Sequence, residues 1–205
     1  MRRLFFLLTL SLSAVALPAA AQRVPDHATR DATTRLAVAA LGRICLLNLG
    51  DLNATLSAAA PGGEFGFVDA PPDVAAAFLQ ERPGFVRVLR RAGMGAILLV
   101  VGQQDGICSI WSEYADTNAL HGYLLAMVDK GGLKGGVHLL PLDAKEQDGM
   151  RVSDYYLMPT GWFARDLGKR LAEDGGKPLA LVTSVSPPGL RPMEGMLAVS
   201  RALKQ

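Results

Sequence analysis

The sequence feature that most constrains the fold is a short apolar hairpin that carries one of the chain's two cysteines. Residues 97–101 (ILLVV) are an unbroken run of β-forming side chains, and they predict a central strand covered on both faces. Residues 103–106 predict a tight turn, because Gly106 can adopt a positive φ. The return strand, residues 107–113, contains Cys108. The hairpin therefore predicts both the centre of a sheet and a covalent anchor on it.

The amino terminus predicts export. Two arginines precede an apolar run, Leu4 to Leu17, which is followed shortly by the tripeptide Ala19-Ala20-Ala21. This order is typical of a cleaved secretory signal, and the run is shorter than the about 20 apolar residues that a membrane anchor needs. We therefore expect residues 1–21 to be a signal peptide, the mature chain to begin at Gln22, and the protein to be periplasmic or secreted.

The charge balance of the predicted mature chain gives no indication of nucleic-acid binding. Cleavage of the signal removes two arginines, so that the 21 basic residues fall to 19, against 19 acidic residues. The basic pI near 8.6 therefore belongs to the precursor. No later segment of the sequence is long and apolar enough to predict stable membrane insertion. The about 184 remaining residues fit one domain.

Cys45 and Cys108 predict a disulfide, because two cysteines in an exported chain most simply pair with each other. A redox pair is the alternative, but such pairs usually have Cys-x-x-Cys spacing and a lowered thiol pKa. Cys45 falls at the edge of the apolar stripe of a helix predicted to begin at Asp31 or Thr33. The disulfide is therefore predicted to be structural and to tie this helix to the hairpin.

The rest of the chain predicts an α+β fold. Residues 22–30 are predicted to form a flexible amino-terminal arm, and residues 31–205 a single domain with a mainly antiparallel sheet and helices packed largely on one side. A profilin-like or longin-like arrangement, with the long helix inserted mid-sheet, is the closest alternative. Further helices are predicted near residues 51–60, 72–81 and 116–130, and strands at residues 85–90, 137–142, 150–158, 179–185 and 193–201.

The common catalytic patterns are absent from the sequence. It has no Gly-x-Ser-x-Gly elbow, no phosphate-binding Gly-x-x-x-x-Gly-Lys loop and no His-Glu-x-x-His pair. A zinc site would need His121, His138 and a carboxylate to converge, and histidines near apolar faces are more often simply packed. We therefore predict no catalytic residues, no metal and no cofactor.

Asp154 is the strongest chemical candidate. In the strand predicted at residues 150–158, one face consists of Met150, Val152, Asp154, Tyr156 and Met158. A carboxylate on such an apolar face is costly to bury unless it is paired or protonated. Asp154 is therefore either turned to solvent by a local bulge or a functional acid with His121 or His138 as its partner. We predict that any ligand site includes Asp154.

Several short segments carry a family resemblance. They are RVLR at residues 87–90, DGICSI at 105–110, YYLMP at 155–159 and LVTS at 181–184, together with Cys45 on a first helix. In this order they resemble small exported proteins and lipoproteins of Gram-negative bacteria that have no assigned activity. The chain lacks the lipidation cysteine of the lipoprotein members. The resemblance implies an exported protein and no catalytic residues.

These observations favour a periplasmic, non-enzymatic binding or envelope-accessory protein. Its partner would be an unknown protein or a small-molecule ligand in the envelope, and nucleic acid is not expected. The alternative is a small periplasmic hydrolase or other enzyme whose site is assembled from distant residues. A convergent polar pocket with an acid of raised pKa would favour the enzyme, whereas an exposed apolar patch would favour partner binding.

Overall fold

The computed structural model describes residues 25–103, 106–130, 133–170 and 179–201. The predicted signal peptide and the centre of the turn at residues 104 and 105 lie outside this part of the chain. The described residues form one antiparallel sheet of eight strands with helices packed against it, so the predicted α+β class is confirmed. No helix in these ranges is long and apolar enough to cross a membrane.

The elements alternate along the chain. The helices are α1 (His27–Ala40), which continues as a π-helical segment (Leu41–Leu46), α2 (Leu52–Ala58), α3 (Pro72–Leu79), α4 (Thr117–Asp129) and α5 (Gly161–Arg170). The strands are β1 (Val68–Asp69), β2 (Gly84–Leu89), β3 (Ile97–Gly102), β4 (Cys108–Ser112), β5 (Val137–Gln147), β6 (Met150–Pro159), β7 (Leu179–Val185) and β8 (Gly195–Arg201).

The strand order shows how the chain builds the sheet. From edge to edge the order is β1-β2-β3-β4-β8-β7-β6-β5. After the first four strands, α4 carries the chain to the far edge, and β5 to β8 return strand by strand until β8 pairs with β4. The last strand therefore lies at the centre. The strand predicted for residues 193–201 is confirmed as β8, whereas α5 was not predicted.

The two faces of the sheet are covered unequally. One face packs against α1, the π-helical segment, α4 and α5, and it buries Leu99, Ile110 and Leu197. On the other face α3 covers the β2–β3 end, where Phe78 packs edge-on against Trp111. Towards β5 this second face is only half-buried. The predicted central strand is covered on both faces, since every residue from Ile97 to Val101 is buried.

The start of α1 differs from the prediction. Asp26, rather than Asp31 or Thr33, caps the helix by accepting a hydrogen bond from the Thr29 amide at 2.8 Å. Residues 27–30, which were predicted to belong to a flexible arm, are therefore helical. A buried ion pair holds this first turn, because Arg30 Nη2 lies 2.7 Å from Glu194 Oε2. Such a long-range contact has no local sequence signal.

The aromatic pairs take the positions that strand and helix geometry give them. Tyr155 is buried and its neighbour Tyr156 is half-buried on the opposite face, because successive strand residues alternate between faces. Trp162 packs edge-on against Phe163 and donates its indole hydrogen to the Lys134 carbonyl at 3.2 Å. Trp162 thus helps to anchor α5 on the sheet.

The predicted disulfide is confirmed. Cys45 in the π-helical segment is bonded to Cys108 at the start of β4, with 5.5 Å between the two Cα atoms. Both residues are buried in the main core. The bond therefore fixes the end of the first helix over the centre of the sheet.

Removal of this disulfide should lower the free energy of unfolding by about 4 kcal/mol, because the cross-link closes a long loop and restricts the unfolded chain. Urea unfolding of the oxidised protein and of Cys45→Ala/Cys108→Ala measures the difference. Equal unfolding free energies, or alkylation of both thiols without reductant, would contradict the prediction.

Two glycines provide a matched pair of stability tests. A Cβ at Gly84 would overlap the Val101 carbonyl oxygen, whereas a Cβ at Gly122 on α4 would meet nothing within 4 Å. We expect Gly84→Ala to lower the free energy of unfolding by about 1–3 kcal/mol through steric overlap. Gly122→Ala should raise it by up to about 1 kcal/mol, since alanine favours the helix. Destabilisation of both variants to the same extent in urea would refute this assignment.

Candidate functional site

A cleft between α4 and the sheet is the first candidate site. Its volume is about 630 Å³, which is within the range of small-molecule sites. It opens where β5, β6 and β7 extend past α4, and its lining comprises Thr117, Asn118, Leu120, His121, Leu124, Pro141, Leu142, Asp143, Ala144, Arg151, Ser153, Tyr155, Thr183 and Val185.

The helix positions a histidine over a tyrosine at one wall of the cleft. Asp116 caps α4, because its carboxylate accepts hydrogen bonds from the amides of Asn118 and Ala119 at 2.9 and 3.0 Å. One turn later, Nδ1 of His121 lies 3.1 Å from the hydroxyl oxygen of Tyr155, and the two rings are stacked. The imidazole is therefore held in place and its Nε2 remains for a ligand.

Opposite charges lie on the strand side of the cleft. Asp143 on β5 and Arg151 on β6 both belong to the lining and both are exposed. Asp143 accepts one hydrogen bond, from the Ala144 amide at 2.8 Å. The side chain of Arg151 makes no hydrogen bond or ion pair with the described residues. Arg151 thus shares the cleft face of β6 with Ser153 and Tyr155, whereas Asp143, which pairs directly with Asp154, contributes to the rim.

The floor of the cleft is apolar. Leu120 and Leu124 of α4 and Val185 of β7 are buried beneath it. Ser153 and Thr183 are buried at its side, and the Thr183 hydroxyl donates to the Ser153 carbonyl at 3.5 Å. The combination of an apolar floor with a few polar groups is characteristic of ligand sites.

The structure brings one of the three predicted site residues into this cleft. His121 lines it, whereas Asp154 and His138 lie on the opposite face of the sheet. Leu139 on β5 packs against the core on the helix side of the sheet. Because neighbouring residues of a strand point to opposite faces, His138 points away from the helices. Asp154 likewise alternates with the buried Ser153 and Tyr155. The three residues do not converge.

The face of β6 that contains Asp154 is turned away from the helices. The strand buries Ser153, Tyr155 and Leu157 against the helices, and leaves the face of Asp154 half-buried. The irregularity lies on the neighbouring strand rather than on β6, since the register shifts between Pro141 and Asp143 on β5, opposite Tyr155 and Asp154. The helical layer decided the outcome, because it packs on the face that contains the large buried side chains of the neighbouring strands.

Metal binding has no support in the described ranges. They contain no group of three or more histidine, cysteine or acidic side chains that could hold a metal ion. His121 and His138 are on different faces of the sheet, and both cysteines are in the disulfide.

Sequence reasoning missed Asp143 and Arg151. The signal that could have found them is the pairing of two charged strands around the turn at Asp148-Gly149, which brings residues 143 and 151 to the same end of the sheet. The position of α4 above that end has no such signal, and only the packed structure reveals it.

A second cavity lies on the other side of α4, between α4, α1 and the π-helical segment. At its rim Arg35 donates to Asp31 at 3.0 Å and to the Tyr123 hydroxyl at 2.7 Å, and the Tyr123 hydroxyl donates to Asp31. The hydrogen bonds from Tyr123 and then Arg35 lower the pKa of Asp31. The same Asp31 carboxylate raises the pKa of Tyr123.

Comparisons with protein-family models, with curated protein sequences and with solved structures find no match for this chain. The oxidised disulfide is compatible with a location outside the cytoplasm. The site must therefore be interpreted from its own chemistry.

Tyr123→Phe should raise the pKa of Asp31 towards its ordinary value, because the variant loses the hydrogen bond that most favours the ionised carboxylate. Since the folded pKa is depressed, the stabilising contribution of Asp31 is present above about pH 4 and is lost as the pH falls through the folded pKa. An NMR titration of the side-chain carboxyl carbons measures the change. Asp26 is the internal control, because its pKa is lowered by Thr29; equal movement of both groups would contradict the assignment.

Proposed function

We propose that the protein is an exported, non-enzymatic binding module that takes a short peptide with free ends in the cleft between α4 and the sheet. The observation that carries this proposal is the pair of opposite charges, Asp143 and Arg151, on neighbouring strands beside an apolar floor. A carboxylate complements a peptide amino terminus, and a guanidinium complements its carboxyl terminus.

The spacing of the two charges sets the length of the ligand. Asp143 pairs with Asp154, and Arg151 lies three residues along β6 from Asp154. With about 3.3 Å per strand residue, the two charged positions are about 10 Å apart along the strands. An extended chain of about three residues spans the same length. The cleft therefore suits a tripeptide better than a single amino acid.

The remaining lining suits the middle of such a peptide. Leu120, Leu124 and Val185 can contact an apolar side chain. His121 can hydrogen-bond a peptide group through Nε2, because its Nδ1 is engaged with Tyr155. The ligand class is thus a short peptide with an apolar central residue.

Export is part of the proposal. It is supported by the basic, apolar and Ala-x-Ala order of residues 2–21 and by a disulfide that persists in oxidising compartments. In the periplasm or outside the cell, the module would meet peptides released from larger polymers.

The position of His121 supports one enzymatic alternative. In a hydrolase, its Nε2 would act as a general base towards the water that attacks the bound peptide. The hydrolase hypothesis predicts that the peptide is cleaved, whereas the binding-module hypothesis predicts that it dissociates unchanged.

Calorimetric titration with the tripeptide Ala-Leu-Ala tests the proposal. We expect saturable one-to-one binding that weakens about fivefold when either end is capped by acetylation or amidation, as for a partly exposed ion pair of about 1 kcal/mol. Mass spectrometry of the recovered peptide detects any cleavage, which would favour the hydrolase. Absence of binding, or equal binding of the capped peptides, would overturn the proposed function.

Matched variants locate the binding site. Asp143→Asn should weaken tripeptide binding about fivefold, whereas Asp154→Asn, the same exchange at the paired position that is outside the lining, should leave it unchanged. His121→Gln and His138→Gln form a second pair with the same expectation. A loss of binding in Asp154→Asn but not in Asp143→Asn would restore the prediction made from the sequence.

A further inference from the structure

We propose that the second cavity, at the π-helical segment, is a separate site for a single-chain amphiphile with a carboxylate headgroup. The cavity has a volume of about 660 Å³ and shares no lining residue with the peptide cleft. It is therefore independent of the proposed function, and the two sites can be tested separately.

The interior of this cavity is apolar. Side chains from three directions line it, namely from α1 and the π-helical segment, from α4, and from the loop after α4: Val38, Ala39, Leu47, Ala126, Met127 and Leu133. Burial of an acyl chain against such an apolar lining is favourable, because it removes apolar surface from water.

The π-helical segment shapes the cavity. The Leu47 amide donates to the Gly42 carbonyl five residues earlier at 3.1 Å, so this turn is wider than an α-helical turn. A Cβ at Gly42 would lie 2.5 Å from Met127 Sδ, and thus the glycine lets this methionine lie directly against the helix. Methionine is flexible and adapts its shape to an apolar ligand. The cavity therefore has an adjustable wall.

The charged groups at the rim form two ion pairs. Arg43 pairs with Glu64 within the lining, and Arg35 pairs with Asp31 beside it, so that the rim carries no net formal charge at neutral pH. Selectivity for an anion therefore depends on the hydrogen-bond donors that the two arginines have left.

The guanidinium groups have hydrogen-bonding capacity left for a headgroup. Each guanidinium has five donors. Within the described residues, Arg35 uses Nη2 alone and Arg43 uses Nη1 alone, the latter towards Glu64. A carboxylate headgroup could therefore accept charge-assisted hydrogen bonds from either arginine without displacing its acidic partner.

The probes are sodium dodecanoate, below its micelle concentration, and dodecyltrimethylammonium, which has the same chain and the opposite charge. Calorimetry with the mature protein should show one-to-one binding of dodecanoate and at least about tenfold weaker binding of the cation, because the cation cannot accept hydrogen bonds from Arg35 and Arg43. Equal affinities for the two probes, or no binding of dodecanoate, would overturn the proposal.

Variants on α4 place the chain in the cavity. Ala126→Trp fills the cavity from an exposed position, and it should weaken dodecanoate binding at least about tenfold. Leu125→Trp is the control, since Leu125 is exposed on the same helix outside the cavity. Equal dodecanoate affinities for these two variants would refute the site, and unchanged tripeptide binding in both would show that the peptide cleft is separate.

Arg43→Gln tests the headgroup in a variant that keeps the fold, because Arg43 is exposed. It should weaken dodecanoate binding about threefold or more and leave the affinity for dodecyltrimethylammonium equal or higher. This variant decides the question if Ala126→Trp proves unfolded by circular dichroism. An unchanged affinity for dodecanoate would count against the proposal.

Discussion

The disulfide between Cys45 and Cys108 is the constraint on which the other helices depend. It fixes the end of the first helix over the sheet centre, and α4 then packs beside that helix. The Thr34 hydroxyl accepts a hydrogen bond from the Asp116 amide at 2.7 Å, which joins the two helices at the point where α4 begins. These contacts set the distance of α4 from the sheet and the direction of its axis. Both cavities flank α4, so both inherit their shape from the cross-link.

The alternation of the strands divides the chemistry of the molecule between two sides. On β6 each residue that contacts the helices has a neighbour on the half-buried face, so Tyr155 and Asp154 serve different surfaces although they are adjacent in sequence. Tyr155 therefore contacts His121 on the helix side of the sheet, and Asp154 lies on the other side, away from both residues. A one-residue difference in register would exchange the two sets.

The parts of the fold that could be predicted are those with a local signal. The β3–β4 hairpin, the Asp116 cap and the strand β8 follow from apolar runs, capping residues and turn residues. The disulfide follows from compartment and cysteine count. The inward face of β6, the buried partner of Arg30 and the π-helical segment could not be predicted, because each depends on how distant elements pack. The same holds for the candidate site. The sequence indicated His121, but not Asp143 and Arg151 on the strands across the cleft, because their proximity depends on packing.

The central position of β8 has a consequence for how the chain is made. A ribosome or a secretion channel delivers a protein from its amino terminus, and many domains begin to fold as they emerge. Here the strand between β4 and β7 is the last of the eight to appear, so the two halves of the sheet cannot join before it arrives. Until then, the inner edges of β4 and β7 are open to pairing with other chains. The nascent protein therefore needs protection until β8 has emerged, because only this strand joins the two halves of the sheet.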